Sequence, residues 1–134
     1  MPRFSRRSLR RLEECDVRLQ TLFSEVIQHV DCTILDGYRG QAEQNEYFRT
    51  GKSRLRFPQS KHNQEPSLAV DVAPYPINWN DTIRFYHFGG FVRGIAAICD
   101  IPIRWGGDWD MDHDLSDQTF MDLVHFEIVG PIPA

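Results

Sequence analysis

Four residues in three separate segments carry side chains that together could bind a metal ion and activate a water molecule. His62 and Asp71 lie in the middle of the chain, and Asp122 precedes His125 by three residues near its end. Two imidazoles and a carboxylate, with one coordination position left for water, describe a catalytic zinc site. A second carboxylate beside such a site can act as the base of a water-activating hydrolase. The pattern therefore indicates His62, Asp71 and His125 as metal ligands and Asp122 as the base.

Each of these residues also has a purely structural interpretation. A strand histidine is more often a hydrogen-bonded core residue than a ligand, and a strand aspartate can simply cap a neighbouring loop. Asp71, however, lies within the run Ala-Val-Asp-Val-Ala at 69–73, where its neighbours favour burial. A buried carboxylate is costly unless a cation or several donors compensate it. Because His125 lies between two apolar residues in the same way, the flanking sequence strengthens the metal-site hypothesis.

The spacing of apolar residues predicts the helices that would support this site. Apolar residues recur at three- and four-residue intervals over residues 8–30, which predicts one amphipathic helix with Ser8 as a possible cap. Two more helices are predicted, a short one over 41–50 and a longer one over 81–99. A glycine pair at 89–90 falls within the last helix, where it predicts close packing or a break.

Short β-branched or alternating runs predict four strands, at residues 32–35, 68–73, 101–105 and 124–128. Asp71 and His125 fall within two of these strands, whereas His62 falls in a polar loop. The length of 134 residues suits one domain over residues 1–134, with the N-terminal helical segment 1–30 as part of it. The prediction is an α+β fold with helices packed on one face of a small, mainly antiparallel sheet.

Composition and charge limit the expected partners. Hydrophobic residues make up 41% and charged residues 25%, as in ordinary globular proteins. The net charge of −4 gives no general attraction to nucleic acid or to anionic membranes. No apolar run approaches a membrane span, and no apolar segment follows the basic N-terminus as a signal peptide requires. We therefore expect a protein that is made and initially kept in the cytoplasm, without nucleic-acid partners or stable membrane association. We also expect it to be a monomer.

Four longer segments carry a family resemblance, namely SKHN at 60–63, PSLAVDVAPYP at 66–76, RWGGDW at 104–109 and DLVHFE at 122–127. They resemble the L-alanyl-D-glutamate peptidases, zinc peptidases of phage endolysins that cleave peptidoglycan stem peptides. The resemblance runs from about Thr33 to Val129. This family is similar in fold and site to D-alanyl-D-alanine carboxypeptidases and dipeptidases, and more loosely to the hedgehog fold.

The resemblance implies a role for each matching residue. His62, Asp71 and His125 would bind Zn2+, and Asp122 would be the general base. Many relatives of the wider group have glutamate at the position of Asp122. Because aspartate is shorter, the distance from Asp122 to the candidate ligands tests whether it can reach the water. Arg39 matches an arginine that the wider family places near the scissile carbonyl, where a permanent charge suits the oxyanion. Its alternative interpretation is a surface salt bridge to Glu43.

Two further residues near the ligands have open roles. Ser60 either binds the substrate or caps its loop. Glu127 follows His125 by two residues and so points to the same face of the strand. It could accept a hydrogen bond that orients the imidazole, or it could pair with an arginine.

An acidic loop over 108–117 is a second candidate metal site. Asp108, Asp110 and Asp112 alternate as at the start of an EF-hand, but the sixth place has no glycine and the twelfth no glutamate. Because some phage relatives bind calcium near such a loop, Ca2+ is a second cofactor hypothesis. A solvated acidic loop is the plainer interpretation.

Together these inferences predict a zinc endopeptidase that hydrolyses an amide bond of peptidoglycan stem peptides, the L-alanyl-D-glutamate bond, as a phage lysis enzyme. It would wait in the host cytoplasm and act in the periplasm or cell wall after release. A D-alanyl-D-alanine carboxypeptidase would use the same chemistry with a different pocket. A non-catalytic phage structural or wall-binding module is the alternative from another class, and the intact set of ligands and base argues against it.

Overall fold

The computed structural model describes residues 2–130, in which four strands form one antiparallel sheet. The strands are β1 (Cys32–Asp36), β2 (Ala69–Pro74), β3 (Ile103–Gly106) and β4 (Asp122–Ile128). Their order across the sheet is β1-β2-β4-β3, so the last strand of the sequence lies between β2 and β3. The predicted strands are therefore confirmed, and β2 and β4, which carry Asp71 and His125, are central neighbours.

Four helices and two short 3-10 turns complete the described chain. The helices are α1 (Arg6–Glu13), α2 (Val17–Val26), α3 (Gln41–Arg49) and α4 (Thr82–Ile98), and the turns are Lys61–Asn63 and Leu115–Asp117. Helices α2 and α4 pack on each other and on the sheet, which confirms the predicted α+β class. Among residues 2–130, no helix has the length and apolar character needed to cross a membrane.

The prediction of one N-terminal helix over residues 8–30 is wrong, because the chain turns at residues 14–16 between α1 and α2. Cys15 forms an isolated parallel bridge with Ser67, and the Asp16 amide donates a 2.8 Å hydrogen bond to the Ser67 carbonyl. The Asp16 side chain then accepts from the Arg18 amide and caps α2. These contacts across the sequence interrupt a helix that the apolar periodicity alone would continue.

The predicted cap of the first helix is also wrong. Ser5 caps α1, and its hydroxyl accepts a hydrogen bond from the Ser8 amide. Ser8 itself is buried and accepts a 3.1 Å hydrogen bond from the Ile34 amide, which ties α1 to β1. The Ser8 side chain therefore joins α1 to the sheet instead of capping the helix.

The two faces of the sheet have different roles, because side chains alternate along each strand. On β4, Phe126 belongs to the core, where its ring contacts Phe23 at 5.4 Å and Phe88 at 6.2 Å between ring centroids. His125 and Glu127 alternate with it and so point to the opposite face. Asp71 shares that opposite face on β2. One face thus holds the core with α2 and α4, and the other presents the candidate site.

The predicted glycine pair lies within an unbroken α4, where Gly89 contacts the buried Trp105 of β3. An added Cβ at Gly89 would lie 2.2 Å from Trp105 Cε2, closer than any real contact. Trp105 cannot move aside freely, since its indole donates a 2.8 Å hydrogen bond to the Leu123 carbonyl. The glycine therefore sets how closely the helix approaches the sheet.

Gly89→Ala should destabilise the protein by about 1–3 kcal/mol, because the methyl group forces the helix away from Trp105. Gly90→Ala is the matched control, since its Cβ would meet nothing within 4 Å. The control should gain about 0.5–1 kcal/mol from reduced backbone entropy of the unfolded chain. Urea unfolding of both variants measures the difference, and equal unfolding midpoints would contradict the packing argument.

Candidate metal centre and cleft

His62, Asp71 and His125 meet at one point on the open face of the sheet. Asp71 and His125 are paired directly across β2 and β4, and the 3-10 turn Lys61–Asn63 brings His62 beside them. Asp71 Oδ1 lies 3.2 Å from His62 Nε2 and 3.4 Å from His125 Nδ1. One ligand atom from each residue lies within 4.8 Å of the others, so the three could hold a metal ion.

Hydrogen bonds on the outer side fix the orientation of both imidazoles. His62 Nδ1 lies 2.8 Å from the Gly37 carbonyl, which can only accept, so this nitrogen carries the proton. His125 Nε2 lies 2.8 Å from Glu127 Oε1, which is likewise an acceptor. Each ring therefore turns its other nitrogen toward Asp71, where that nitrogen can carry a proton or offer its lone pair to a metal ion. This is the arrangement by which proteins orient histidine ligands.

The donor set fits a divalent cation. Two imidazole lone pairs and a largely buried carboxylate converge with no positive charge between them, an arrangement that is costly without a cation. Burial alone would raise the pKa of Asp71, but positive charge and hydrogen-bond donation at the facing nitrogens of His62 and His125 hold it well below its usual value. The carboxylate therefore favours a proton or a metal ion on those nitrogens. Nitrogen and oxygen ligands in this ratio are typical of catalytic zinc sites.

Glu127 has both of the roles that the sequence left open. Besides His125, its carboxylate contacts Lys61 Nζ at 3.2 Å and accepts a 2.8 Å hydrogen bond from Arg104. Burial opposes its ionisation, but these partners lower the pKa of Glu127 to about 2. Burial opposes the charged form of His125 as well and would lower its pKa. Hydrogen bonds to Asp71 and Glu127 outweigh burial and raise the pKa of His125 to about 9. The carboxylates of Asp71 and Glu127 thus favour a proton or a metal ion on His125 Nδ1.

Asp122 begins β4 beside the candidate ligands. Its Oδ2 lies 4.0 Å from His125 Nδ1, which leaves the aspartate side chain within reach of the centre without joining it. Burial and the charge of Asp71 raise the pKa of Asp122 to about 6, close to the range that suits a general base. The β3–β4 register shifts opposite Asp122, where a Cβ on Gly106 would lie 2.0 Å from the Asp122 carbonyl oxygen.

Arg39 lies beneath Asp71 and is almost completely buried. Its guanidinium donates to Asp36 Oδ2 at 2.9 Å and to Gln44 Oε1 at 2.9 Å, and reaches Asp71 Oδ2 at 3.4 Å. The contact with exposed Glu43 is longer, at 3.7 Å. The salt bridge expected from the sequence therefore exists, but the shorter bonds hold the arginine against the metal centre.

Ser60 caps the turn that carries His62. Its hydroxyl accepts from the His62 amide at 3.2 Å, and the Asn63 side chain accepts from the Ser60 amide at 3.0 Å. Asn63 also donates to the Arg39 carbonyl at 2.8 Å, and the Arg39 amide donates to the His62 carbonyl at 2.8 Å. These bonds join the two loops, so the positions of His62 and Arg39 depend on each other.

The centre lies in a cleft with a volume of about 910 Å³. Ser60, Arg39 and Asp122 line it together with the three candidate ligands. Trp109 lies against His125, with ring centroids 5.2 Å apart, and its indole donates to the Phe120 carbonyl at 2.5 Å. The loop before β4 therefore forms one wall of the cleft.

The acidic loop is only partly solvated, which differs from the plainer expectation. Asp110 and Asp112 are exposed, but Asp108 is completely buried. Asp108 Oδ2 accepts from Arg93 at 3.1 Å and from the His113 amide at 2.9 Å. Its Oδ1 has no hydrogen-bond partner among residues 2–130. Oxygens of Asp108, Asp110 and Asp112 lie within 4.8 Å of one another, so they could hold a second cation.

Sequence reasoning missed two groups that support the centre. The Gly37 carbonyl orients His62, and Gln44 accepts a hydrogen bond from Arg39. A backbone carbonyl leaves no trace in residue type, and Gln44 looks like any polar residue of a helix. Trp109, in contrast, lies in the RWGGDW segment that carries the family resemblance.

An α+β fold whose sheet presents such a ligand set, with a carboxylate of raised pKa, to an open cleft is typical of metal-dependent hydrolases. A model of the phage L-alanyl-D-glutamate peptidase family matches residues 1–129. Because the match spans nearly the whole sequence, the chain belongs to this family.

Two relatives agree with the assignment. The chain is 28% identical to the L-alanyl-D-glutamate peptidase of Escherichia phage T5 over 135 residues, covering 95% of this chain and 98% of the relative. It is also similar to the crystal structure of the L-Ala D-Glu endopeptidase ChiX from Serratia marcescens. The TM-score is 0.74 at 26% identity, over 94% of this chain and 89% of that chain.

Glu127→Gln should weaken zinc binding about 10- to 100-fold, because an amide orients His125 without the negative charge that favours a cation. Competition with a metallochromic chelator measures this affinity independently of activity. Glu46→Gln is the matched control, since Glu46 is exposed and pairs only with Arg49 at the surface. Equal zinc affinities of the two variants would mean that Glu127 does not support the centre.

Proposed function

We propose that this chain hydrolyses the amide bond between L-alanine and D-glutamate in peptidoglycan stem peptides, with Zn2+ held by His62, Asp71 and His125. Membership of the phage peptidase family supports the reaction, and both relatives described above are named for this bond. The observation that carries the proposal is the meeting of three ligand atoms beside Asp122 in an open cleft. A non-catalytic binding module would have no use for that fourth group.

When bound, the metal would supply Lewis acidity, which lowers the pKa of water towards neutrality and polarises a carbonyl. Asp122 then provides proton transfer. Its carboxylate takes the proton of the attacking water and passes it to the departing amine of D-glutamate. With its pKa raised to about 6, it can accept a proton and release it again near neutral pH. The distance of 4.0 Å between Asp122 Oδ2 and His125 Nδ1 supports this role for the shorter side chain.

Arg39 and Ser60 would support this chemistry from the cleft wall. Arg39 positions Asp71 and contributes a fixed positive charge near the oxyanion that forms during hydrolysis. Ser60 holds the turn of His62, and its hydroxyl hydrogen remains available to the substrate. Both substrate roles stay predictions.

The proposed substrate determines where the enzyme acts. A peptidase of phage lysis meets peptidoglycan in the periplasm or cell wall after release from the host cytoplasm, and this location stays a prediction. A D-alanyl-D-alanine carboxypeptidase would use the same metal centre. The family match favours the L-alanyl-D-glutamate bond over that alternative.

Purified protein should release fragments with a new N-terminal D-glutamate from peptidoglycan, and chelation should abolish the reaction until zinc returns. Asp122→Ala should lower turnover about 100- to 10,000-fold while zinc content stays near one per chain, because only the base is lost. Asp31→Asn, outside the cleft, is the control. Mass spectrometry of the digest, paired with metal analysis, provides both readouts.

Several results would contradict the proposal. Release of D-alanine alone would identify the carboxypeptidase. Full activity after exhaustive chelation would exclude the metal, and unchanged turnover in Asp122→Ala would exclude Asp122 as the base.

For the acidic loop, we infer a hard cation such as Ca2+ held by Asp108, Asp110 and Asp112. The buried, unpartnered Asp108 Oδ1 supports this proposal, because a buried carboxylate oxygen without a donor is costly. Three carboxylates this close also repel each other unless a cation lies between them. Carboxylate oxygens are the ligands that calcium prefers.

Calcium should raise the melting temperature. A hundredfold excess over Kd stabilises the folded state by about 2.7 kcal/mol, which corresponds to a rise of roughly 10 °C for a chain of this size. The double variant Asp110→Asn/Asp112→Asn should lose the response, and magnesium at equal ionic strength controls for screening. An unchanged melting temperature in millimolar calcium would leave the loop as an acidic surface only.

A further inference from the structure

The exposed aromatic side chain of Trp79 lies at the edge of the cleft. Its exposed fraction is 63%, and its ring stacks on buried Phe85 at 5.4 Å with an interplanar angle of 16°. One face of the indole is therefore covered, and the other remains available to a ligand. A rigid aromatic ring at the rim of a cleft can offer a large contact area to a ligand.

The loop that carries Trp79 is held firmly in place. Arg84 of α4 donates to the Tyr75 carbonyl at 2.6 Å and also to the Pro76 carbonyl. The Asp81 amide donates to the Asn78 carbonyl at 3.0 Å, and the Asp81 side chain caps α4. With Phe85 beneath the ring, Trp79 is positioned before any ligand arrives, which lowers the entropy cost of binding.

Trp79 connects the cleft with a smaller recess. Trp79, Asp122 and Val124 line both cavities, and the rest of the recess, which has a volume of about 210 Å³, is lined by Thr82, Phe85, Met121 and Leu123. The indole therefore lies toward the Asp122 end of β4.

The opposite end of the cleft is basic. Lys61 and Arg104 flank Glu127 at the far end of β4, and their side chains are 34% and 36% exposed. Two cations against one carboxylate leave a net positive charge there. Asp122 and Glu127 are five residues apart on one strand, so the two ends are separated by about 17 Å. Along β4, the cleft is therefore basic at the Glu127 end and has the exposed indole of Trp79 toward the Asp122 end, with His125 between them.

The proposed substrate has the same polarity. On the amino side of its scissile bond, L-alanine is joined through a lactyl group to the muramyl sugar, which carries no ionised group. On the carboxyl side, D-glutamate and the following residue carry free carboxylates. The sugar begins two chain units from the scissile carbonyl, or about 7 Å. It would therefore lie beyond Asp122, whose Oδ2 is 4.0 Å from His125 Nδ1.

We propose that the open face of Trp79 stacks against the muramyl sugar, and that the carboxylates of the leaving peptide face Lys61 and Arg104. This inference rests on the proposed function. The C–H groups of a pyranose face pack well on an indole, and the pairing requires no charge. The enzyme would therefore select stem peptides that are still attached to glycan.

Two substrates test the platform. One is the muramyl tripeptide, and the other is the same peptide with D-lactoyl in place of the sugar ether. The wild type should show a larger kcat/KM for the muramyl substrate. Trp79→Ala should lower the ratio of the two kcat/KM values about 3- to 10-fold, the effect of one lost aromatic contact. If Trp79→Ala disturbs folding, Trp79→Leu replaces it in the test. Leucine keeps an apolar side chain but cannot stack on a sugar, so the ratio of the two kcat/KM values should fall by the same factor.

Tyr75→Ala is the matched control, because Tyr75 is an exposed aromatic in the same loop that lines neither cavity. Its ratio should equal that of the wild type. A Trp79→Ala variant that lowers both kcat/KM values equally, or neither, would overturn the platform and leave the proposed function intact. Failure of the wild type to cleave either peptide would overturn the proposed function, and the platform with it.

Discussion

A buried carboxylate requires a nearby positive charge. Asp71 is such a carboxylate, and the facing nitrogens of His62 and His125 lie 3.2 Å and 3.4 Å from its Oδ1, because Gly37 and Glu127 hold the opposite nitrogen of each ring. Burial makes the requirement strict because water cannot screen the charge. Arg39 meets part of it from below, and a divalent ion at the centre would meet the rest. The contacts of Asp71 therefore call for positive charge at this point, which a proton on His125 or a bound cation can supply.

The same strands that build the core also build the site. Along β4, Phe126 packs against α2 and α4, while His125 and Glu127 face the cleft on the alternate side. The direct pairing of Asp71 with His125 makes the ligand geometry a property of sheet register. A shift of one residue would exchange the two faces and bury polar groups in the core. Stability of the fold and assembly of the metal centre thus depend on one alignment.

Much of this arrangement was predictable from the sequence, because ligand type and strand alternation are both local patterns. Asp71 and His125 appear within apolar runs, and the structure places them where those runs suggest. The prediction of a single N-terminal helix was wrong because the break in that helix depends on a distant residue. The Ser67 carbonyl accepts a hydrogen bond from the Asp16 amide. The role of the Gly37 carbonyl could not be predicted for a different reason, since every residue has a backbone carbonyl. Contacts between distant segments therefore mark the limit of local reasoning.

Gly106 of the edge strand β3 lies close to the backbone of Asp122, so the position of Asp122 in the site depends on the residue at position 106. Any side chain at position 106 would press on the carbonyl of Asp122 and tilt the start of β4. The carboxylate that faces the cleft would move with that backbone, although position 106 touches no ligand atom. Position 106 of this chain is thus restricted to glycine, whose contribution is the space that a missing side chain leaves for the Asp122 backbone.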